Sequence, residues 1–183
     1  MKISAFRRLL VPFMVITICG GAQCNKELPP ETQTGASKFG CLVNGEVFTP
    51  KGSGLTNILD CNYQYIYNSP TGFVFVLDAT KEGDGCSFTS ITIGADSVKL
   101  EEGKVYKLVS RAKGNVNGQF SYVVGCGNIL RSFTSVENTG ELLLKKFDET
   151  NQIASGTFWF TVVKDNGDTM RITNGRFDMK YTR

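Results

Sequence analysis

From Phe39 onward, short runs of aromatic and β-branched residues recur roughly every eight to twelve positions, separated by Gly, Asn, Asp and Ser. That spacing predicts an all-β domain. The clearest unit is Phe39-Gly40-Cys41-Leu42-Val43, then Asn44-Gly45, then Glu46-Val47-Phe48-Thr49. It reads as two strands joined by a two-residue turn, because an Asn-Gly tip accepts the positive φ of a type I′ turn. Further strands are predicted over 62–67, 72–79, 86–93, 104–110, 119–124, 128–136, 141–147, 155–164 and 169–181, the last broken near Asn174-Gly175. No strongly amphipathic helix competes with them, and 96–103 has room only for a helical turn. Within 155–164, Phe158, Phe160 and Val162 alternate with Thr157, Trp159 and Thr161, so the first set faces the core and Trp159 faces outward. About ten antiparallel strands must manage their edges, which predicts a two-sheet sandwich or a flattened barrel. No composition shift splits 39–183, which reads as one domain, large enough to bury its own core.

The first 23 residues follow a different pattern. Lys2, Arg7 and Arg8 precede the apolar run from Leu9 to Ile18, and the small residues Gly20, Gly21 and Ala22 precede Cys24. These are the n-region, h-region and cleavage region of a signal peptide. The apolar run is roughly half the length that a bilayer-crossing helix needs. Gly21-Ala22-Gln23-Cys24 resembles a lipobox, in which the peptidase cuts before a cysteine carrying diacylglycerol. Gln23 and Gly21 depart from the usual residues. The alternatives are ordinary secretion with cleavage after Ala22, or lipidation of Cys19. Residues 24–38 are polar, contain Pro29-Pro30 and read as a lipidated cysteine followed by a flexible tether. The expected location is the cell envelope, anchored by lipid to a membrane, with the outer membrane preferred and its face left open.

Charge changes the picture once the leader is set aside. The chain has 20 basic and 17 acidic residues, and removal of Lys2, Arg7 and Arg8 leaves 17 of each. A chain without net charge or a basic run gives no electrostatic reason to bind nucleic acid. Histidine is absent, which removes the usual general base and the commonest transition-metal ligand. No cofactor, metal site or catalytic residue is predicted. The acidic turns 81–85 and 165–168 are accounted for by turn chemistry without calcium. Of the six cysteines, Cys41, Cys61, Cys86 and Cys126 remain after Cys19 and Cys24 are assigned to leader and lipid. An even remainder in an exported chain suggests two disulfides. Three pairings are open, with Cys41–Cys61 and Cys86–Cys126 favoured as the more local arrangement.

Several segments are familiar. Pro29-Pro30-Glu31-Thr32-Gln33-Thr34-Gly35-Ala36, leading into Phe39-Gly40-Cys41-Leu42-Val43-Asn44-Gly45, resembles the opening of a lipoprotein family of Bacteroidota with a domain of unknown function. Thr139-Gly140-Glu141, Lys146-Phe147-Asp148, Ser155-Gly156-Thr157-Phe158 and Ile172-Thr173-Asn174-Gly175-Arg176-Phe177-Asp178 match its close. The stretch 51–138 carries no matching motif. The resemblance implies export, a lipid anchor and a β-rich domain, and it carries no activity. In that phylum a Lys followed by two acidic residues marks surface display, and Lys26-Glu27-Leu28 supplies one acid. Asp96-Ser97-Val98 and Asp168-Thr169-Met170 resemble O-glycosylation triplets of the same phylum, with an unmodified turn as the plainer reading of Ser97 and Thr169.

Ligand contacts are sought among the aromatics. Trp159 is the only tryptophan, and Tyr63, Tyr65 and Tyr67 share one face of their strand, with Asn62, Gln64 and Asn68 opposite. A pyranose stacks its C–H face on a π system while its hydroxyls seek amides, so these residues are candidate sugar contacts. Core packing is the plainer reading of the tyrosines. The expected function is therefore a non-catalytic, envelope-anchored β domain that binds a glycan, a small apolar ligand or a protein partner. The alternative is a histidine-free glycan hydrolase using paired carboxylates drawn from Asp60, Asp78 and Glu141.

Overall fold

The computed structural model describes residues 27–54, 57–67, 72–124 and 126–183. The leader 1–23, Cys24, Lys26 and Asn68 lie outside the described residues. Eleven strands run β1 Lys38–Val43, β2 Glu46–Phe48, β3 Leu59–Ile66, β4 Gly72–Glu82, β5 Phe88–Asp96, β6 Val105–Leu108, β7 Val116–Val124, β8 Asn128–Phe133, β9 Gly140–Asp148, β10 Ile153–Val163 and β11 Thr169–Lys180. Each predicted strand has its counterpart. The first turn has positive φ at both Asn44 and Gly45, as the Asn-Gly signal requires. Among the described residues there is no helix, and 97–103 contains a bend and a turn. The expected break at Asn174-Gly175 is a bulge within a continuous β11: the register slips opposite Phe158 and Phe160, and Asn174 takes a φ of 52°.

All strands join one mixed sheet in the order β2-β1-β11-β10-β9-β6-β7-β5-β4-β3, with β8 pairing β7 off this path. The sheet folds over at β6 and β7, which are parallel and share the single pair Leu108↔Val116. At this corner the Thr134 hydroxyl accepts the Gly118 N–H at 3.0 Å and donates to the Val109 carbonyl at 2.6 Å. The outcome is a sandwich. Its ends β2 and β3 do not pair, so the barrel stays open. The tail beyond β11 crosses to the far layer, where Tyr63 N–H donates to the Thr182 carbonyl at 2.8 Å and Thr182 N–H to that of Cys61 at 2.9 Å.

Alternation fills the space between layers. Phe158, Phe160 and Val162 of β10 are buried, as are Phe75 and Leu77 of β4 and Ile91 and Ile93 of β5. Phe160 stands over Gly118 of the opposite layer, where an added Cβ would lie 2.8 Å from the ring. Tyr63 of β3 meets Phe147 of β9 edge-on at 4.9 Å.

Of the two favoured pairs, Cys86–Cys126 is present and Cys41–Cys61 is not. Cys86 and Cys126 form a disulfide, with Cα atoms 5.1 Å apart, that ties the β4–β5 turn to the β7–β8 turn. Cys41 and Cys61 are free thiols, and both are buried. Nearness in sequence misleads here, because the chain crosses from one layer to the other between β1 and β3. Each thiol packs as a small apolar side chain. Burial pushes the Cys41 thiol up to about 12 and raises that of Cys61, which also feels Asp60.

The expected tether is likewise shorter than its composition suggests. From Pro29 onward the segment is a strap on the outer face of β11, because one carboxylate gathers its donors. Asp178 accepts from Thr32 Oγ1 at 2.6 Å, Gly35 N–H at 2.7 Å, Thr34 N–H at 3.0 Å and Ala36 N–H at 3.2 Å, and is 1% exposed. Arg176 Nη1 reaches the Pro29 carbonyl at 3.5 Å, and Lys145 pairs with Glu31. Residues 31–36 and the end of β11 thus meet in space. Burial alone would raise the Asp178 carboxyl, but the hydrogen bonds from Thr32, Thr34, Gly35 and Ala36 outweigh it and hold the group below its ordinary value of 3.8.

A depressed folded-state pKa contributes stability above the unfolded value that is lost as pH falls through the folded one. The stability contributed by strap docking is therefore expected to be full above about pH 4, to shrink as pH falls below it, and to be gone once pH has passed the lower folded-state value. Asp178→Ala removes that acid limb and should cost about 3 kcal/mol at neutral pH, since several strap N–H groups lose their acceptor. Urea unfolding of both proteins between pH 2.5 and 7 measures this; parallel pH profiles would contradict it.

Candidate functional site

The structure spreads the sequence-selected residues over three places. Tyr63 is a correction: it belongs to the core, is 3% exposed, and reaches the cleft described below only as a buried part of its lining. Its ring stacks on Phe73 at 5.2 Å and meets Tyr181 edge-on at 5.8 Å, while its hydroxyl accepts the Leu100 N–H at 3.4 Å. Burial pushes the phenol up to about 12. Alternation puts Tyr65 on the same face, near the end of β3, and Tyr67 follows just past it. Exposure climbs in that direction, to 44% at Tyr65 and 83% at Tyr67.

Tyr65, with Phe73 and Tyr63, gives the aromatic wall of an open cleft, and Tyr67 stands against Tyr65 outside that lining. Tyr65 lies edge-on to Phe73 at 5.0 Å and to Tyr67 at 4.8 Å. The cleft holds about 350 Å³, and Gln64, Glu149 and Arg183 also line it. Arg183 Nη2 lies 3.6 Å from the Glu149 carboxylate and donates to the Glu149 carbonyl at 2.7 Å. Chemically the cleft joins aromatic faces to an amide, a carboxylate and a guanidinium, which are the groups a polyhydroxylated ring can use on its face and rim.

Trp159 stands apart, on the outer face of β10, at 43% exposure. Its indole N–H donates to the carboxylate of Glu141, its cross-strand partner, at 3.3 Å. Glu141 in turn sits opposite Lys107 of β6. Phe147, which touches Tyr63, lies six positions further along β9, roughly 20 Å away at strand rise. The tryptophan and the tyrosines therefore make separate surfaces.

The carboxylates proposed for hydrolysis are also divided. Asp60 and Asp78 are direct cross-strand neighbours on β3 and β4, whereas Glu141 is in the other layer. Both oxygens of Asp78 are already occupied, by Ser90 Oγ at 2.8 Å and Thr92 Oγ1 at 2.6 Å on one and Thr80 Oγ1 at 3.1 Å on the other. The two acids lie side by side on an outer sheet face and do not oppose each other across a cleft, which is the geometry acid–base hydrolysis needs.

The remaining candidates sit at turns. Ser97 is half-buried with a φ of 59°, and its hydroxyl donates to the Asp96 carboxylate at 2.9 Å. Thr169 opens β11 beside the 164–168 turn, where Asp168 binds Lys164 at 2.9 Å and Asn166 at 2.8 Å. Hydrogen bonding to Lys164 and Asn166 lowers the Asp168 carboxyl. Two residues escaped the sequence reading. Asp178 lay within a motif but carried no sign of its role, and Arg111, at the rim of a second cleft on β4, β5 and β7, sits in a loop without any periodic signal.

Comparison with protein-family models, with curated proteins and with solved structures returned no match.

Because Trp159 contributes an exposed ring and one rim hydrogen bond, Trp159→Ala should cost less than about 1 kcal/mol, against ~3–5 kcal/mol for a buried tryptophan. Thermal unfolding within a few degrees of wild type is expected. A steep loss would place the indole in a packed layer.

Proposed function

We propose that this protein is an exported lipoprotein, anchored at the cell envelope through Cys24, whose β domain binds a glycan without catalysis. The leader, the lipobox-like Gly21-Ala22-Gln23-Cys24 and the resemblance to Bacteroidota lipoproteins support the address. The observation that carries the binding reading is the aromatic wall of Tyr65 and Phe73, with Tyr67 against Tyr65 at its edge, beside Gln64, Glu149 and Arg183. A ring that stacks on Tyr65 gains apolar contact without entering a dry site, and the polar rim takes the hydroxyls. A small apolar ligand fits less well. Its natural place is between the layers, where rings and aliphatic side chains already pack.

Affinity electrophoresis in gels containing individual soluble polysaccharides tests this reading. At least one polysaccharide should retard the protein, and Tyr65→Ala/Tyr67→Ala should weaken that retardation by about tenfold or more, since each stacked ring contributes roughly 1 kcal/mol. Trp159→Ala should migrate as wild type. Absence of retardation across neutral, acidic and amino-sugar polymers contradicts the reading, as does an unaffected double variant.

A further inference from the structure

The outer face of the β4–β5–β7 layer holds a second cleft, of about 320 Å³, that neither the tyrosine wall nor Trp159 touches. It exists because of a missing side chain. In the cross-strand row Val76, Gly94, Asn117 the middle position is glycine, and a Cβ there would lie 3.3 Å from Asn117 Nδ2. The gap leaves a floor of backbone and valine methyls, with Val74 beside it.

Opposite charges stand at this floor. Asp96 ends β5, and Arg111 comes from the loop between β6 and β7. That loop is fixed on Asp96 itself: Asp96 N–H donates to the Asn115 carbonyl at 3.1 Å, and Gly114 N–H donates to the Asp96 carbonyl at 2.7 Å. Asn115 Nδ2 closes the turn on the Ser110 carbonyl at 2.9 Å. The Arg111 guanidinium rests 5.8 Å from the centre of the Phe133 ring. Among the described residues neither Asp96 nor Arg111 takes part in an ion pair, with each other or with a third group. Two amides line the same cleft, and each spends a donor within the protein. Asn117 donates to the Gly94 carbonyl at 3.2 Å and Gln119 to Ser121 Oγ at 2.7 Å, which leaves their oxygens as acceptors.

We propose that this cleft binds a short peptide with a free ammonium and a free carboxylate. Asp96 receives the ammonium, and Arg111 receives the carboxylate through its paired N–H donors. The Asn117 and Gln119 oxygens accept the peptide N–H groups, and a small side chain lies on the valine floor above Gly94. Two or three extended residues span at most ~10 Å, in keeping with the cleft's size. The charge pattern separates this ligand from a neutral sugar, which would cover both ions without pairing either. The inference stands independently of glycan binding at Tyr65 and Tyr67, on another part of the surface.

Isothermal titration of the purified protein with Ala-Ala-Ala, its N-acetyl form and its C-terminal amide tests the proposal. The free tripeptide should bind saturably, and blocking either end should weaken it about tenfold or more. Arg111→Gln should lose the discrimination against the amide alone, and Asp96→Asn that against the acetyl form alone, with the wild-type melting temperature kept in both. Gly94→Leu, which fills the floor, should abolish binding of all three. Failure of the free tripeptide to bind up to about 10 mM overturns the proposal, as does equal binding of the blocked forms.

Discussion

Phe160 of β10 lies against the bare backbone of Gly118 on β7, and this close approach sets what the rest of the molecule can be. An eleven-stranded sheet with one apolar face has to bury it, and folding over at the short parallel contact of β6 with β7 brings that face against itself. Glycine at 118 lets the layers come together tightly enough for rings to fill the gap. Thr134 ties the backbone of Gly118 to Val109 across the fold line, so corner and contact reinforce each other.

A filled interior pushes recognition outward. The two surfaces proposed for binding lie on an outer face and at a strand end. Tyr65 and Tyr67 sit at and just past the end of β3 and are exposed, whereas Tyr63, on the same face nearer its middle, is buried. The Asp96–Arg111 cleft opens where Gly94 leaves a gap in an outer row. On the opposite layer the strap held by Asp178 covers one end of the outer face and leaves the region of Trp159, Glu141 and Lys107 open. Under the proposed anchoring, the strap also decides where the domain leaves the membrane: the stretch able to act as tether ends near Pro29, close to β11.

Strand positions were legible because each is short, aromatic or β-branched and bounded by turn residues, and because periodicity is a local property. Asn44-Gly45 and the alternation around Phe158 and Trp159 could be read without knowing what either packs against. Pairing was not local. Cys41 and Cys61 lie twenty positions apart in sequence yet in different layers, so proximity along the chain suggested a bridge that the topology does not make. Asp178 looked like an ordinary strand-end acid, since its five donors come from a segment more than 140 positions earlier. Tyr63, Tyr65 and Tyr67 carried one pattern and met three environments, because a strand's own sequence does not state where its neighbours stop. Arg111 had no signal at all. It gains meaning only from the groups that the fold places around it.

Closure of the two layers on one another is thus the claim on which the reading of the outer faces rests, and Gly118→Ala tests it with one methyl group. The added carbon meets the Phe160 ring, and the account predicts a loss of about 1–3 kcal/mol, several degrees in melting temperature, as expected for overpacking a tight core. Gly118→Ala/Phe160→Leu should recover part of that loss relative to Phe160→Leu alone, because the methyl then has space. If Gly118→Ala instead melts with or above the wild type, the layers do not meet at this point and the filled interior is contradicted.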